Sequence, residues 1–328
     1  MTVLVTGGAG YIGSHMVWKL LDEGEEVVVI DRLSTGFEWA VPREVELVVA
    51  DIADQAAVEA VIRRREVDAI IHFAGSIIVP ESVIDPLGYY LNNTVASRAL
   101  IESAVRAGVP HFIFSSTAAV YGTPELVPVP EDAPTRPESP YGTSKLMTEW
   151  MLRDTALAHD FRYAALRYFN VSGADPRMRA GQSTRGATHL IKVASETAIG
   201  KRPYMEIFGT DYPTPDGTCI RDYIHVWDLV DAHYLALKRL RAGGSSIVAN
   251  CGYGRGFSVR EVIDTVKKVV GRDFDVRLNG RRPGDAVIVV ADASRARAEF
   301  DWQPSYDDLP TIIAHAVAWE ERLRQRNS

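Results

Sequence analysis

The chain has 328 residues, of which 46% are hydrophobic and 24% charged, the composition of a soluble globular protein with room for a substantial core and a second, smaller lobe. Its formal net charge of −7 at pH 7 excludes bulk attraction to nucleic acid or to an anionic membrane, so phosphate recognition must come from a local cluster. Its two cysteines, Cys219 and Cys251, are too few and too far apart for a disulfide framework or a metal site.

The N-terminal residues enter a β-strand pattern directly, without the basic region and apolar core of a signal peptide. Charged residues interrupt every apolar stretch before it reaches the roughly 18 residues that a membrane helix needs. These features predict a cytoplasmic enzyme with no nucleic-acid, membrane or metal partner, whose ligand is a small molecule.

In the first half of the chain, short β-branched runs alternate with longer amphipathic segments. The predicted strands lie at residues 3–6, 27–30, 46–50, 69–73, 112–116 and 163–167. The predicted helices lie at residues 12–23, 55–65, 87–107 and 141–159. This alternation is typical of βαβ units, so we predict an α/β fold with a doubly wound, parallel Rossmann sheet. Gly24 and Gly108 fall where two of these helices end, which predicts left-handed backbone there.

The second half of the chain is less regular. Polar, glycine-rich loops are predicted at residues 170–186 and 209–218. The later predicted elements are a helix at 222–241, a strand at 247–251, a helix at 259–270, a basic turn at 281–285 and a helix at 309–324. We expect residues 1–170 to form the Rossmann domain, with residues 220–251 returning to it. Residues 171–219 and 252–328 would form a smaller C-terminal α/β lobe that binds the substrate.

A glycine fingerprint separates the first predicted strand from the first helix. Gly7, Gly10 and Gly13 give the spacing G-x-x-G-x-x-G, with Tyr11 and Ile12 at the start of the helix. Glycine permits a tight turn and a close approach of the backbone to a pyrophosphate, and the helix N-terminus offers unpaired N–H groups to phosphate. An ordinary turn would also explain the glycines, but their place between strand and helix favours a dinucleotide-binding loop.

The residues that end the following strands fit the rest of a dinucleotide. Asp31, about 20 residues past the fingerprint, is placed to bind the adenosine ribose and to repel a 2′-phosphate, which favours NAD over NADP although Arg32 stands beside it. Asp51 and Ile52 end the third strand and could flank the adenine, although Asp51 could equally cap a helix. The fourth strand ends, beside the switch point of the sheet, with Phe73, Ala74 and Gly75.

Tyr141 and Lys145 form Y-x-x-x-K at the start of a predicted helix, so their side chains lie one turn apart on one face. A phenol with a pKa near 10 needs a shift of about 3 units, ~4 kcal/mol, to be ionised at neutral pH. A fixed ammonium and the positive nicotinamide supply a favourable field for phenolate. Thr117 follows the fifth strand and can relay a proton, although it could instead cap a turn, as Tyr141 and Lys145 could be an ordinary surface pair.

Together these motifs resemble the extended short-chain dehydrogenase/reductase family, and most closely its UDP-glucose (UDP-galactose) 4-epimerases. The resemblance runs nearly end to end and is carried by VTGGAGYIGSH (5–15), HFAG (72–75), FSSTAAVYG (114–122), SPYGTSKLMTE (139–149), RYFNVSGADP (167–176), FGTDYPTPDGTCIRDYIHVWDL (208–229) and RRPGD (281–285). It implies a tightly held NAD and no net redox change. Tyr141 would take the proton of the sugar 4-hydroxyl, and the 4-keto sugar would turn before taking its hydride back on the other face.

The resemblance also implies which residues line the site. Further cofactor contacts would come from Asn92, Ser115 and Tyr168. The UDP-hexose would contact Thr117, Tyr141, Asn170, His189, Leu190, Phe208, Arg221, Tyr223, Arg282, Asp285 and Val289. Guanidinium groups suit phosphates, and Asp285 suits ribose hydroxyls. From the residues alone, Arg221 could instead pair with Asp222 or another neighbouring carboxylate, and Arg281 and Arg282 could form a solvated turn.

Some positions depart from the pattern of the family. Ile77 stands where a lysine commonly reaches the cofactor phosphates, which predicts a less firmly held NAD. Thr117 replaces a serine and keeps the hydroxyl. His189 stands where asparagine is common and could either bind the sugar or be structural. Val289 replaces a bulky tyrosine, which predicts either a wider pocket that admits N-acetylhexosamines or simple packing of the C-terminal lobe.

Two other functions are alternatives to 4-epimerisation of UDP-glucose or of another nucleotide sugar. A 4,6-dehydratase shares the tyrosine and lysine but needs an acidic residue after the fifth strand, where this chain has Ala118, Ala119 and Val120. A non-catalytic NAD-sensing regulator would be expected to lose Tyr141 or Lys145, and both are present.

The resemblance also implies a homodimer. The helices at residues 87–107 and 141–159 would pair across a two-fold axis as a four-helix bundle. The predicted contact residues are small or apolar at helical spacing and are Ala96, Ala99, Leu100, Ala104, Leu146, Trp150 and Ala156.

Overall fold

The computed structural model describes residues 1–282 and 285–326. Pro283 and Gly284 of the basic turn, and the last two residues of the predicted C-terminal lobe, lie outside the described residues. Among the described residues, none of the helices combines the length and the apolar character that crossing a bilayer would require.

The described elements follow one another in βαβ order through the first half of the chain. The strands are β1 (Thr2–Thr6), β2 (Glu26–Asp31), β3 (Glu46–Val49), β4 (Val67–His72), β5 (His111–Thr117), β6 (Arg162–Tyr168), β7 (Asn170–Ser172), β8 (Met205–Phe208), β9 (Ile220–His225), β10 (Ile247–Cys251), β11 (Gly256–Ser258), β12 (Val276–Asn279) and β13 (Ile288–Val289). The helices are α1 (Tyr11–Asp22), α2 (Gln55–Arg65), α3 (Val79–Ile84), α4 (Pro86–Tyr89), α5 (Ala96–Arg106), α6 (Pro140–Ala158), α7 (Leu190–Ala198), α8 (Val226–Arg241), α9 (Val259–Val270), α10 (Ser294–Phe300) and α11 (Leu309–Arg326).

A seven-stranded parallel sheet in the order β10-β6-β5-β4-β1-β2-β3 forms the centre of the molecule. Its central strands are continuous apolar runs because both faces are covered. On β1, Val3 and Val5 face a cluster with residues of α1 and α8, whereas Leu4 faces a second cluster with α2, α5 and α6. The predicted α/β fold with a doubly wound Rossmann sheet is confirmed.

A smaller set of strands lies beside this sheet. β9 pairs with β7, β11 and β13, and β8 pairs in parallel with β12. Helices α7, α9 and α11 pack on one another next to these strands. Strand β10, although late in the chain, joins the central sheet beside β6.

The helix predicted at residues 222–241 is wrong in its first turn. Residues Ile220–His225 form strand β9, and α8 begins at Val226. The run IRDYIH pairs with neighbours on both sides, and tertiary pairing of this kind overrides local helix propensity. His225 then caps the helix, since its Nδ1 accepts a hydrogen bond from Trp227 N at 3.0 Å.

The helix predicted at residues 87–107 is also interrupted. Pro86 opens the short α4, in which the Asp85 carboxylate accepts from Gly88 N at 3.0 Å. A π-helical segment, Tyr90–Val95, then precedes α5. Helix α3, which the sequence analysis missed, has an apolar face open to solvent, with Val83 63% and Ile84 86% exposed.

The contact residues predicted for a homodimer are wrong for the most part. Ala96, Ala99, Leu100 and Ala104 are buried in this chain's own core, as is Leu146. The helical period places these residues on the inner face of α5 and α6. The large apolar side chains that these helices and the segment before them leave exposed are Leu87, Leu91, Val95, Trp150 and Leu157.

The left-handed glycines permit a matched test of the fold. Gly24 and Gly7 have φ of 77° and 71°, but a Cβ at Gly24 would meet nothing within 4 Å, whereas one at Gly7 would lie 2.6 Å from Ala74 N. We expect Gly24→Ala to lower the free energy of unfolding by about 1 kcal/mol through backbone strain. Gly7→Ala should cost about 3 kcal/mol, because overpacking adds about 1–3 kcal/mol. Urea denaturation measures both, and equal losses would contradict this account.

Candidate active site

The glycine loop joins β1 to α1 and lies against the loop that follows β4. Gly7 donates from its N–H to Ile30 O at 2.9 Å, and a Cβ at Gly13 would lie only 2.1 Å from Gly7 O. These two glycines are required by the protein's own packing. Gly10 differs, because a Cβ there would have a single neighbour, Gly7 O at 3.2 Å. Its open side is a cradle that a pyrophosphate can enter.

Helix α1 begins directly after Gly10, which caps it without a side-chain hydrogen bond. The amides of the first turn, which contains Tyr11 and Ile12, are therefore free of side-chain acceptors from the cap and can meet a phosphate. The Tyr11 phenol donates to Gly173 O at 2.7 Å and connects α1 to the loop after β7.

Asp31 is the last residue of β2 and is 9% exposed. Its carboxylate accepts from Ala9 N at 3.0 Å and from Leu33 N at 2.8 Å, which fixes it beside the glycine loop. Arg32 turns away and pairs with Asp51 at 3.2 Å. The Asp31 carboxylate is thus not paired with Arg32 at the position where a ribose or a 2′-phosphate would lie, and this arrangement fits NAD.

Asp51 is not the helix cap that was considered as an alternative. Its carboxylate accepts from Ala53 N at 2.9 Å in the loop after β3. Asp54 caps α2 instead, by accepting from Ala57 N at 3.1 Å. The next predicted adenine contact, Ile52, is 6% exposed and belongs to the core beneath this loop.

Phe73, Ala74 and Gly75 follow β4 and bring its loop to helix α6. Phe73 N donates to Thr6 O at 3.0 Å. A Cβ at Gly75 would lie 3.0 Å from Asn93 Oδ1 and 3.9 Å from Lys145 Nζ. There is therefore little room for a side chain at Gly75. The loop presents its backbone here, and the space above it is left for a ligand.

Asn93 is a site residue that the sequence analysis missed. It is 2% exposed, accepts from Ser76 N at 2.7 Å and donates to Ser144 Oγ at 3.0 Å. The predicted Asn92 makes one bond in the same loop, to Ser76 Oγ at 2.8 Å. Asparagine is unfavourable inside helices, so two adjacent asparagines in a helical pattern were the signal that could have indicated a buried polar contact.

Helix α6 places Tyr141 and Lys145 against the end of β5. Ser139 caps the helix by accepting from Gly142 N at 3.2 Å, so Tyr141 lies in the first turn. Tyr141 is 7% and Lys145 3% exposed, which excludes the alternative of an ordinary surface pair. Lys145 Nζ donates to Ser115 O at 2.9 Å and lies 4.8 Å from the centre of the Phe114 ring. In the described part of the chain Ser115 O is its one hydrogen-bond acceptor, so further N–H groups remain for ribose hydroxyls.

The pKa values of the two catalytic candidates, Tyr141 and Lys145, differ from the expectation. Burial raises the pKa of Tyr141, and the neighbouring Thr117 hydroxyl lowers it. Burial lowers the pKa of Lys145 to about 8, while the Glu149 carboxylate acts in the opposite direction. The protein alone thus holds a neutral phenol near an ammonium, and the predicted phenolate needs the additional positive charge of an oxidised nicotinamide.

Thr117 is the last residue of β5 and is 7% exposed. Its oxygen accepts from Ala119 N at 3.1 Å, which is the turn-capping role considered as an alternative. The hydroxyl proton is not used in that bond and remains available to Tyr141 or a substrate oxygen. Tyr168 lies opposite Thr117 in the sheet and shares a 2.6 Å hydrogen bond with Ser115.

The predicted substrate residues of the smaller lobe lie on neighbouring strands. Asn170 of β7 pairs in register with Tyr223 of β9, and Arg221 of β9 pairs with Val289 of β13. Arg221 Nη1 donates to Ile220 O at 2.9 Å. The pairing of Arg221 with Asp222 that was considered is wrong, because the Asp222 carboxylate lies on the other face of β9 and accepts from backbone amides.

The basic turn brings three further predicted residues together. Arg282 Nε lies 3.0 Å from Asp285 Oδ2, and its guanidinium lies 4.7 Å from the centre of the Phe208 ring. Arg281 pairs with Asp211 at 2.7 Å. Both arginines are about half exposed, with side-chain exposures of 45% and 49%, so they are accessible to an anionic ligand.

The remaining predicted positions lie at the start of α7. His189 is exposed and precedes the helix without capping it through its side chain, and Leu190 is the first helical residue. Ile77, in the loop after β4, is 45% exposed and offers no charge to a phosphate. In residues 1–282 and 285–326, no group of three or more His, Cys, Asp or Glu side chains could hold a metal ion.

One edge of the central sheet collects the groups described above. The glycine loop, Asp31, Gly75, Thr117 and Tyr168 all stand at the carboxyl ends of β1, β2, β4, β5 and β6. Parallel strands present these ends on the same side, which is where such sheets bind ligands. The arrangement fits an extended dinucleotide that lies along this edge of the sheet.

Comparison with known proteins gives matches over most or all of the chain. Residues 3–252 match the NAD dependent epimerase/dehydratase family. A UDP-glucose 4-epimerase of Azospirillum brasilense is 57% identical over 323 residues, which are 98% of this chain and 93% of that protein.

Solved structures agree with this result. A UDP-glucose 4-epimerase from Brucella ovis in complex with NAD has a TM-score of 0.94 and 44% identity, with 97% of each chain covered. The UDP-Glc/GlcNAc 4-epimerase from Campylobacter jejuni has a TM-score of 0.86 and 49% identity, over 98% of this chain and 99% of that one.

Proposed function

The chain belongs to the NAD dependent epimerase/dehydratase family, and we propose that it is a UDP-glucose 4-epimerase that interconverts UDP-glucose and UDP-galactose. The observation that carries the proposal is the placement of Tyr141, Lys145 and Thr117 at one edge of a dinucleotide-binding sheet. Relatives that share this fold at 44% and 57% identity are UDP-glucose 4-epimerases.

In the proposed mechanism Tyr141 removes the proton of the sugar 4-hydroxyl, with Thr117 holding the same oxygen. Bound NAD takes up the C4 hydride and gives it back. Lys145, buried and held by Ser115 O, supplies positive charge beside the phenol oxygen and hydrogen bonds to the nicotinamide ribose. After the 4-keto sugar has turned over, Tyr141 returns the proton, so the configuration at C4 is inverted without net oxidation.

Turning of the sugar requires a firm hold on the nucleotide and a loose one on the hexose. We propose that Arg221 and Arg282 bind the diphosphate, since guanidinium forks match phosphate oxygens. Asp285 would bind the ribose hydroxyls, and the Phe208 ring would offer a flat apolar surface to the base. The remaining proposed contacts, Asn170, His189, Leu190 and Tyr223, line the path of the sugar nucleotide.

The same geometry argues against a 4,6-dehydratase, the other activity in the name of the family. Elimination of water across C5 and C6 needs an acid and a base near the sugar. The segment after Thr117 is a single 3₁₀ turn, Ala118–Val120, followed by Tyr121. Tyr121 is bound to Asn250 and Arg167 in the protein interior. No side chain of this turn can donate or accept a proton.

Use of UDP-galactose would place the enzyme in galactose metabolism. We propose that it acts in the cytoplasm, where NAD and nucleotide sugars are available to it.

Replacing Tyr141 tests the proposed chemistry. Tyr141→Phe should keep the fold and bound NAD but lower kcat for UDP-galactose by 10²-fold or more, because it removes only the acid/base oxygen. Lys145→Met should lower both kcat and NAD content. Tyr163→Phe is the matched control, since Tyr163 is a buried tyrosine in the apolar cluster on the far face of β6, and its kcat should stay near wild type. A Tyr141→Phe enzyme that keeps more than about a tenth of wild-type turnover would overturn the assignment.

We further propose that the sugar pocket accepts N-acetylhexosamines. Val289 is a half-buried residue beside Arg221 in the β9–β13 pair, and a valine leaves volume that a tyrosine would fill. The Campylobacter jejuni relative is a UDP-Glc/GlcNAc 4-epimerase. UDP-glucose remains the first substrate, because neighbouring side chains can refill part of this space.

Measuring kcat/KM for UDP-glucose and UDP-N-acetylglucosamine tests this proposal. Val289→Tyr should lose activity selectively on the N-acetylated sugar. Ile288→Tyr is the matched control, because adjacent strand residues point to opposite faces, and it should leave the ratio of the two kcat/KM values unchanged. Absence of wild-type turnover of UDP-N-acetylglucosamine would refute the wider pocket.

A homodimer is also proposed, through a face different from the residues first expected. Leu91 and Val95 are 64% and 51% exposed, and Trp150 and Leu157 are 46% and 83% exposed. Spacings of four and seven residues place each pair on one side of its helix. The π-helical segment packs against α6, and exposed apolar side chains on two packed helices are typical of a protein interface.

Sedimentation velocity at micromolar concentration checks the dimer. Wild type should sediment as a dimer, and Val95→Arg should sediment as a monomer because it places a charge in the proposed interface. Leu126→Arg, at another exposed leucine (66%) away from these helices, should leave the dimer intact. Monomeric wild type would remove the proposal.

A further inference from the structure

A third functional side chain lies on the same face of α6 as Tyr141 and Lys145. Glu149 stands one turn beyond Lys145, at the i, i+4 spacing that brings helix side chains together, and is 4% exposed. Neither the motif nor the proposed mechanism uses it. A buried carboxylate one turn from a buried ammonium is energetically expensive unless both charges are held and compensated, so its surroundings are informative.

Arg167 and Ser116 hold the Glu149 carboxylate in place. Arg167 Nη2 lies 2.6 Å from Oε2, and Nε lies 3.0 Å from Oε1. The Ser116 hydroxyl donates to the same Oε1. Arg167 Nη1 is itself fixed by Tyr121 OH at 3.0 Å and Glu131 O at 3.1 Å. The carboxylate therefore has a fixed position with respect to the helix and to β5.

Consecutive residues of β5 connect this carboxylate to the catalytic lysine. Ser115 O accepts from Lys145 Nζ, and the next residue, Ser116, donates to Glu149. A helix that carries both side chains is thereby attached to adjacent points of one strand. The ammonium and the carboxylate are therefore each held by a hydrogen bond to this strand.

We propose that Glu149 is a positioning residue for the proposed epimerase reaction, and that its fixed carboxylate keeps Lys145 protonated in a site closed to solvent. Without a counter-charge, burial favours the neutral amine, and a neutral amine would give no support to the phenolate form of Tyr141. Arg167 holds the carboxylate in place through two hydrogen bonds, so that its position does not depend on the ligand.

The other titratable groups near Lys145 do not supply this counter-charge. The titratable groups on the elements around Lys145 include Tyr141 on α6, His72 at the end of β4, which interacts with Lys145, and Arg167 and Tyr168 on β6. His72 is buried between Thr6 and Ser97, and burial lowers its pKa to about 3, so it is neutral. Burial raises the pKa of Tyr168 as well. Of the groups in the described residues, the carboxylate of Glu149 is the one that raises the pKa of Lys145 against the effect of burial.

The test is the pH profile of kcat/KM in Glu149→Gln. Loss of the carboxylate lowers the pKa of Lys145, and the Arg167 cation left behind acts in the same direction. Activity should therefore fall on the alkaline side at a pH about one unit lower than in wild type, the lower end of the effect of a close opposite charge. Glu131→Gln is the matched control. Glu131 is a buried carboxylate beyond Arg167 that accepts from Asn250 N at 2.8 Å, so its alkaline limb should stay at the wild-type pH.

A second readout does not depend on turnover. The seven lysines can be labelled with ¹³C at Cε, and the Lys145 signal is identified as the one absent from Lys145→Met. Its titration midpoint, measured by NMR, should be lower in Glu149→Gln than in wild type and unchanged in Glu131→Gln. If wild type fails to epimerise UDP-glucose, the proposed function is wrong, and this titration still decides the role of Glu149.

Glu149→Gln leaves the charge of Arg167 buried without a partner. If this variant does not fold, a second variant without that lone charge takes its place. Glu149→Gln/Arg167→Met removes both members of the pair, and such neutral replacements are tolerated far better than half of an ion pair. The shift of the alkaline limb and of the Lys145 titration should keep its direction, although it should be smaller. An unchanged Lys145 midpoint in a folded variant that lacks the carboxylate would overturn the proposal.

Discussion

The burial of one ammonium group, that of Lys145, organises the part of the molecule around helix α6 and the end of β5. With 3% of the residue exposed, the cation depends on the protein for hydrogen bonds and counter-charge. Ser115 O accepts the hydrogen bond of the ammonium, and the carboxylate of Glu149, paired with Arg167, is the proposed counter-charge. Through Arg167 the same network reaches Tyr121, Glu131 and β6. The position of helix α6 on the sheet, and with it the position of Tyr141, is therefore set by electrostatics as well as by apolar packing.

A second buried carboxylate, that of Asp222, holds strand β9 against its neighbouring segments. Asp222 accepts hydrogen bonds from Tyr253, Gly254 and Ala291 amides, and burial raises its pKa to about 6. It fixes β9 to the loop after β10 and to the end of β13. Arg221 and Tyr223, its neighbours on β9, point to the opposite face. Strand β9, fixed in this way, carries two of the residues proposed to contact the sugar nucleotide, Arg221 and Tyr223.

Most of the central sheet was predictable because the hydrophobic periodicity and the turn-forming residues between elements agree there. Buried β-branched runs, the glycine fingerprint and the Y-x-x-x-K spacing are local signals, and the structure brings Gly7, Asp31, Tyr141 and Lys145 to the same edge of the sheet. Strand β9 was missed because IRDYIH becomes a strand only through its partners β7, β11 and β13. The adjacent asparagines indicate a buried polar contact at Asn93 but not its partners Ser76 and Ser144. Glu149 was missed because its contacts with Ser116 and Arg167 join residues that are distant in sequence. The expected interface residues failed for a related reason: helical spacing identifies an apolar face but not whether the chain itself covers it.

Strand β10 belongs to the central sheet although it comes late in the chain, and this limits where the chain can be truncated. Ile247–Cys251 forms the border of the central sheet by pairing with β6 from Ala164 to Tyr168, and Leu229 and Leu237 of α8 cover the same sheet face as Val5 and Leu166. A fragment that ended near residue 200 would keep the glycine loop and the catalytic helix, but it would present β6 as an unpaired edge beside uncovered apolar side chains. Exposed edges of this kind recruit other chains. Expression of the first half alone therefore leads toward aggregation, and the cofactor-binding half is not separable from the rest as a soluble module.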